Sequence, residues 1–554
     1  MPTWPSPGSG TYTVAFGDGA SGRRYVAYQS TAITQPVAIE LVAPLSSAHT
    51  PVDLLAPGNA ADWIAITHRA FWDEMLPLTD YRDRIYRVAQ VDVQSIYDQF
   101  NGGMLSSEAI RDFLEYAHAN WQRPAPRFVL LGGGGVSDMR NYLGNSKPTY
   151  VPTFIYPADP ILGETAADNR FVAFGDADIL PDMSIGRFPA YYESEITTMV
   201  SKTISYESTP TFNDWNQNIL MISDDLEGGG GNFYNFSDTL IYDYAEHDPS
   251  IKFLPEPYTG TKAYLGDTCD PVGNPSPASG CQSFIVNEIN EGALIVSYVG
   301  HALKDKWATE SLMNASMVSQ MTNSDRLSIF LAMACFEGFF HEPPLNFRSL
   351  AERYMIHEGG GAVASWSPTG FGVATGHDWL EQGLFIALFT DGVLQLGEAM
   401  KQAKYYMDEH APPNKYDDLI DTFNLFGDPA LTVQGYIAPT AVDMAGMTVA
   451  FEDGGVRVNW QTANEVEFLG FNVMRSERPD GGFVKLNGDP ILAVGGGSTA
   501  SNPYSYWDST AEADRSYWYR LELLNLDDSR SIYGLTKVDP VASHFSIYLP
   551  LVTR

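Results

Sequence analysis

The chain is 554 residues long and carries 68 Asp and Glu against 33 Lys and Arg, a formal net charge of −35. That length allows about three or four domains with sizeable cores, and a composition 44% hydrophobic and 13% aromatic excludes a disordered acidic chain. No basic run is present to neutralise phosphates, which excludes nucleic acid as a partner, and no apolar stretch of about 18 residues is present to span a membrane as a helix.

The start, MPTWPSPGSG, lacks the basic and apolar pattern of a signal peptide and runs directly into strand-like TYTVAF and RRYVAY. Residues 1–57 are expected to be a short β segment ending a preceding domain, in a chain that begins inside a longer precursor. Residues 58–211 then read as a first α/β unit. WIAITH (63–68), YRVAQVDV (86–93) and RFVLLGGGG (127–135) are buried-strand runs. FWDEMLPLTDYRDR and SSEAIRDFLEYAHANW (106–121) between them are helical, the second with a serine cap. Strands alternating with helices at this spacing predict a parallel sheet covered on both faces. The glycines 132–135 lack both GxGxxG spacing and a Walker lysine, so they are read as a tight strand-end turn.

Residues 212–436 repeat the same grammar. NQNILMIS (216–223) is a strand, FYNFSDTLIYDYAEH a helix and IKFLPE a strand. A Gly-, Pro- and Ser-rich loop follows with Cys269 and Cys281, twelve residues apart. Such a loop can bring its ends together, so a disulfide is expected, with two free thiols as the alternative. SFIVNEINEG is helical, and GALIVSYVGH (292–301), RLSIFLAMACF (326–336) and GGAVASWS (360–367) are strong apolar strands. From 437 to 540 the pattern is β alone, with apolar and polar residues alternating between Gly and Asp turns. That predicts a sandwich resembling a fibronectin type III module, with Trp460 and Tyr517 in its core. The tail, 541–554, ends in SIYLPLVTR, a final strand or, as preferred here, a recognition tail for cell-surface attachment.

Two reactive side chains close apolar strands: His301 ends ALIVSYVGH and Cys335 ends SIFLAMAC, 34 residues later. In open parallel sheets functional groups gather at the carboxyl ends of neighbouring strands, where these two could meet. A thiolate is the nucleophile, and an imidazole beside it can take its proton and later protonate the leaving amine. The alternative is a cysteine serving as a small buried hydrophobe and a histidine that merely ends a strand. His341, His357 and His377 show no zinc-ligand spacing, and His68 is read as structural.

The wording and order of IVSYVGHALKDKW, SQMTNSDRLSIFLAMACFEGFF and DTFNLFGDPALTV resemble the gingipain cysteine peptidases, with DMSIGRFPA (182–190) fitting the same family. The resemblance covers roughly 60–435 and implies a caspase-like α/β sandwich in two subdomains. It implies that His301 and Cys335 are the acid–base and nucleophile, and that the backbone N–H groups near Ala302 and Cys335 form the oxyanion hole. It also implies a carboxylate that orients the imidazole, placed on Asp225 with Asp224 and Glu227 as rivals, unless these acids form a solvated loop or calcium site. Trp366 is expected to wall the primary substrate pocket, with Met333 and Val299 beside it. No acid stands clearly where the family's basic-residue pocket would have one, although Asp238 is near. The family shows His-Gly where this chain has His301-Ala302, and an alanine forced into positive φ would distort the oxyanion hole.

The expected function is therefore a secreted or cell-surface cysteine endopeptidase acting on proteins or peptides. It requires no cofactor, and structural calcium is an option, for which FGDADILPD is a weak acidic-loop candidate. The rivals are a sortase-like transpeptidase of the same family and a catalytically degenerate surface protein used for binding or adhesion.

Overall fold

Apolar runs such as Trp63–Thr67 and Ser328–Met333 are buried at every position, so both of their faces must be covered. The computed structural model describes Leu45 and residues 47–540, apart from 176–178, 209–213, 226–228, 230, 246–247, 270–277, 373–375, 413–414, 435–441, 453, 466–467, 480, 494–501 and 526–529. Most of the expected N-terminal β segment and the whole C-terminal tail fall outside the described residues. The stretch 47–57 holds turns and no strand.

Among the described residues, ten strands build one sheet. They are β1 (Trp63–Thr67), β2 (Val88–Asp92), β3 (Phe128–Gly132), β4 (Ser184–Phe188), β5 (Asn218–Ser223), β6 (Thr259–Tyr264), β7 (Ile295–Val299), β8 (Ser328–Met333), β9 (Ala362–Pro368) and β10 (Phe423–Phe426). Their spatial order is β6-β5-β7-β8-β9-β10-β4-β3-β1-β2. Neighbours run parallel except at β9 and β10, which pair antiparallel from Ser365↔Phe426 to Pro368↔Phe423. Two parallel half-sheets thus meet at one seam, pointing in opposite directions. A short β10 lets the chain return from the second half to complete the first.

Residue alternation sorts the core by face. Trp63 and Ala65 of β1 point into the same apolar layer as Phe330 of β8. That layer spans both halves beneath the helices Trp72–Arg82, Glu193–Ser208, Ala278–Glu291 and Leu350–Ile356. The opposite face carries two clusters. Ile64 and Ile66 pack on the helix Ser107–Asn120, and Ile329, Leu331 and Met333 pack under His377–Phe385 and Leu396–His410. Ser106 caps its helix as expected, accepting from the Ala109 N–H at 3.2 Å.

One expected strand falls elsewhere. IKFLPE contributes to Asp248–Lys252, which pairs with Tyr244–Ala245 outside the main sheet, and the sheet's edge is TGTKAY instead. An edge strand is covered less fully and needs no continuous apolar run, which is why that segment did not read as a strand.

The expected disulfide between Cys269 and Cys281 is present, with Cα atoms 4.9 Å apart. It ties the end of β6 to the helix Ala278–Glu291, whose Cys281 lies in the main core. Closing a loop of this length is worth about 3 kcal/mol. Cys269→Ser with Cys281→Ser is therefore expected to lower the unfolding free energy measured in denaturant by about that amount. Unchanged unfolding under reducing conditions would contradict it.

Beyond residue 441, strands Val442–Glu452, Gly455–Glu465 and Pro503–Asp508 form one sheet, and Phe468–Ser476, Tyr517–Asn525 and Arg530–Val538 belong to another. Val458 and Trp460 from the first share a core with Phe471, Tyr517, Tyr519 and Leu521 from the second. Trp460 and Tyr517 are both buried, as their alternation with polar neighbours predicted.

Candidate active site

β7 and β8 are neighbours in register, with Val299 opposite Met333. His301 and Cys335 each lie two residues beyond that pair, at the same end of adjacent strands. Cys335 is half-buried and His301 exposed.

The chain turns sharply after the cysteine. Phe336 sits at φ 57°, a left-handed conformation that costs a non-glycine residue about 1–2 kcal/mol. The turn is held by the Phe336 N–H donating to the Gly370 carbonyl at 3.0 Å and the Gly338 N–H to the Pro368 carbonyl at 2.9 Å. Gly338 is required by close approach, because a Cβ there would lie 2.8 Å from the Phe426 ring and the Ser367 carbonyl. The thiol itself donates to the Gly372 carbonyl at 3.4 Å. Burial, together with the negative charge of Asp159, pushes the Cys335 thiol up to about 11.

His301 is fixed through its backbone and its ring. Its N–H donates to Asp224 Oδ2 at 3.1 Å. Its carbonyl accepts from the Tyr298 hydroxyl at 2.5 Å and the Ala308 N–H at 2.7 Å. The ring Nε2 lies 3.0 Å from the Gly229 carbonyl, and the Phe233 ring packs edge-on against it with centroids 5.4 Å apart. A carbonyl only accepts, so Nε2 carries the proton and Nδ1 keeps the basic lone pair. Thiol and imidazole do not hydrogen-bond to each other; each rests on a backbone carbonyl.

The carboxylate expected on the ring is therefore replaced by the Gly229 carbonyl. Asp225 makes no hydrogen bond to His301. Asp224, the rival, holds the histidine's backbone and not its imidazole, and Glu227 lies outside the described residues. Burial pushes Asp224 up to about 6. The carboxylate oxygens of Asp224, Asp225 and Glu310 lie within 4.8 Å of one another, a donor set suited to a hard cation. Of the other acidic loop considered, Asp176 and Asp178 lie outside the described residues.

The expected pocket wall also needs correction. Trp366, Met333 and Val299 are 1, 1 and 2% exposed and belong to one core cluster, so none offers surface to a substrate. Trp366 packs edge-on against Phe423, with centroids 5.5 Å apart. The aromatic surface beside the sulfur is Phe336 with Phe371, whose rings are 5.5 Å apart. Phe371 is 39% exposed and directly precedes the Gly372 that receives the thiol. Asp238 is occupied: it pairs with Lys262 at 2.5 Å and accepts from the Tyr264 hydroxyl at 2.7 Å.

Ala302 is free of the strain expected for an alanine in place of glycine. It pairs with Trp307 in a short hairpin, and the described non-glycine residues with positive φ are Asn141, Ala308, Ser311 and Phe336.

A raised thiol pKa makes the resting sulfur a thiol at neutral pH, with roughly one molecule in ten thousand ionised. Alkylation of the free protein by iodoacetamide is expected to rise about tenfold per pH unit from 7 to 10, because only the thiolate reacts. A rate already flat above pH 8 would mean that the sulfur is not held in this way.

A cysteine and a histidine at adjacent strand ends of this seamed α/β sheet define a caspase-like fold carrying the residue types of thiol peptidases. The chain belongs to peptidase family C25, whose family model matches residues 56–434. It is 26% identical to gingipain R1 of Porphyromonas gingivalis over 328 residues, 56% of this chain and 29% of that protein. It is 27% identical to gingipain R2 of the same species over 313 residues, 53% of this chain and 37% of that one. The chain thus matches well under half the length of these curated relatives. Among solved structures, the Arg-specific cysteine proteinase gingipain R superposes with a TM-score of 0.56 at 17% identity, covering 86% of this chain and 98% of that one. The complex of the pro- and mature domains of RgpB from Porphyromonas gingivalis gives 0.55 at 17% identity, covering 86% of this chain and all of that one.

Proposed function

We propose that the chain is a secreted or cell-surface cysteine endopeptidase in which Cys335 attacks the peptide carbonyl and His301 moves the protons. The observation that carries the reading is the placement of thiol and imidazole two residues beyond the paired Val299 and Met333. Membership of family C25 supports the same chemistry, and the Cys269–Cys281 disulfide accords with an oxidising compartment.

A thiol this hard to ionise needs a base at the moment of attack. His301 Nδ1 takes the S–H proton as the sulfur bonds to the carbonyl carbon. The oxyanion that forms is received by the backbone N–H groups of Ala302 and Cys335, fixed before the charge develops. The imidazolium then gives its proton to the leaving amine and leaves a thioester on Cys335. Water, losing a proton to Nδ1, attacks the thioester and releases the acid and the thiol. Phe336 and Phe371 form the wall against which a substrate side chain packs. Calcium binding, where it occurs, is assigned to Asp224, Asp225 and Glu310.

The test is cleavage profiling of a diverse peptide library, with and without calcium, and with an added amine. Hydrolysis products support an endopeptidase. Predominant amide products would assign the sortase-like reaction instead. An intact library, together with no labelling by a thiol-reactive peptide probe, would leave a binding protein.

A further inference from the structure

Two residues beyond the sulfur, Glu337 is completely buried among apolar side chains. No Lys, Arg or His forms an ion pair with it among the described residues. A carboxyl group without a cation is expensive to bury, and an apolar side chain of similar volume would fill the space without that cost. What Glu337 does in exchange is specific. One carboxyl oxygen accepts from the indole N–H of Trp307, and the other accepts from the Ser367 hydroxyl at 3.3 Å.

Both contacts lead to reactive turns. Trp307 belongs to the hairpin that follows His301, pairing with Ala302. Its ring stacks on Tyr298 with centroids 4.4 Å apart and planes 6° apart. The Tyr298 hydroxyl, in turn, donates to the His301 carbonyl at 2.5 Å. Ser367 is the penultimate residue of β9, just before the Pro368 and Gly370 carbonyls that hold the turn around Phe336 and Gly338. The carboxyl group therefore stands where the cysteine's turn and the histidine's hairpin meet through one hydrogen-bonded side chain.

We propose that Glu337 is a positioning residue that locks the His301 hairpin against the Cys335 turn through Trp307 and Tyr298. The inference rests on the peptidase reading, since only a reaction between sulfur and imidazole makes the spacing of these turns matter. Burial pushes the Glu337 carboxyl up to about 7, in keeping with a group held by neutral donors alone. Glu337 meets neither substrate nor sulfur, so its loss acts on how often the two reactive groups are aligned. A misplacement of about 1 Å at such a site costs roughly a hundredfold in rate.

The experiment compares Glu337→Gln, Tyr298→Phe and the double variant with the wild type on a cleaved library peptide. Glu337→Gln replaces one acceptor oxygen by an amide NH2, which either faces the Trp307 N–H donor or forces the Ser367 hydroxyl to reverse its bond. Tyr298→Phe keeps the stacked ring but removes the bond to the His301 carbonyl. Each single variant is expected to lower kcat about 10- to 100-fold with KM within about threefold. The double variant is expected to fall no further than the worse single one, because both break the same relay. A folded Glu337→Gln protein with wild-type kcat overturns the inference, as do losses that multiply in the double variant. Should Glu337→Gln fail to fold, Tyr298→Phe decides alone, and an unchanged kcat overturns it. A wild-type chain that neither cleaves peptides nor is labelled at Cys335 defeats the peptidase reading and takes this inference with it.

Discussion

Cys335→Ala is expected to reduce peptide hydrolysis by about 10⁴-fold or more, to the background of the assay, while the protein stays folded. In the proposed reaction the sulfur forms the acyl intermediate, and oxyanion donors without a nucleophile retain only a small residual rate. The structural loss is small by comparison. The thiol is half-buried and makes one long hydrogen bond at 3.4 Å, so its removal costs on the order of 1 kcal/mol. Activity and stability therefore separate cleanly in this variant. His301→Ala provides the complementary reading. With the internal base gone, turnover depends on spontaneous ionisation of a thiol pushed up to about 11, so residual activity should climb with pH throughout the range 7–10. Wild-type rates that follow the same climb would show that the imidazole takes no proton from the sulfur.

The placement of His301 and Cys335 at neighbouring strand ends was legible in the sequence because each closes a continuous apolar run, which here is a strand covered on both faces. Their neighbours were not. Gly229 acts through a main-chain carbonyl, which has no side-chain signature, and the acids near it in sequence attracted the assignment that the carbonyl holds. Trp366 lies inside VASWSP, and its aromatic size suggested a pocket, yet the strand carries it into the core. Phe371 was hidden in the glycine-rich stretch after β9. Tyr298, Trp307 and Glu337 each look like an ordinary core or turn residue until three separate segments are brought together.

The fold shows the same division. Long runs such as those of β1, β3, β7 and β8 were found within three residues at either end. The seam was not, because β10 has only four residues and its antiparallel contact with β9 joins segments far apart in sequence. The glycines after β3 illustrate how packing can explain a motif that suggests a ligand. A Cβ at Gly134 would lie 2.3 Å from the Tyr191 ring, and one at Gly133 would lie 2.9 Å from Tyr150. Tyrosines fill the strand-end space in this half of the sheet, where nucleotide phosphates would have needed it open.

The other large effect lies in Arg187, within the GRFPA stretch that helped reveal the family. Arg187 is 1% exposed and makes two hydrogen bonds to Asp168, at 2.6 and 3.0 Å. It also donates to the carbonyls of Gly133, Val151 and Pro152 at 2.7–2.9 Å. No bond of this guanidinium reaches the cysteine or the histidine; it is a bolt for the loops around the first half-sheet. Arg187→Met is expected to destabilise the protein by about 3–5 kcal/mol, because it leaves a buried carboxylate unpaired and three carbonyls without their donor. The two contributions can be told apart. Adding Asp168→Asn removes the stranded charge but not the orphaned carbonyls, so the double variant should recover about half of the loss in urea unfolding. Full recovery would mean that the ion pair alone mattered. No recovery would mean that the orphaned carbonyls dominate, the carboxylate keeping its Thr153 hydroxyl donor at 2.6 Å.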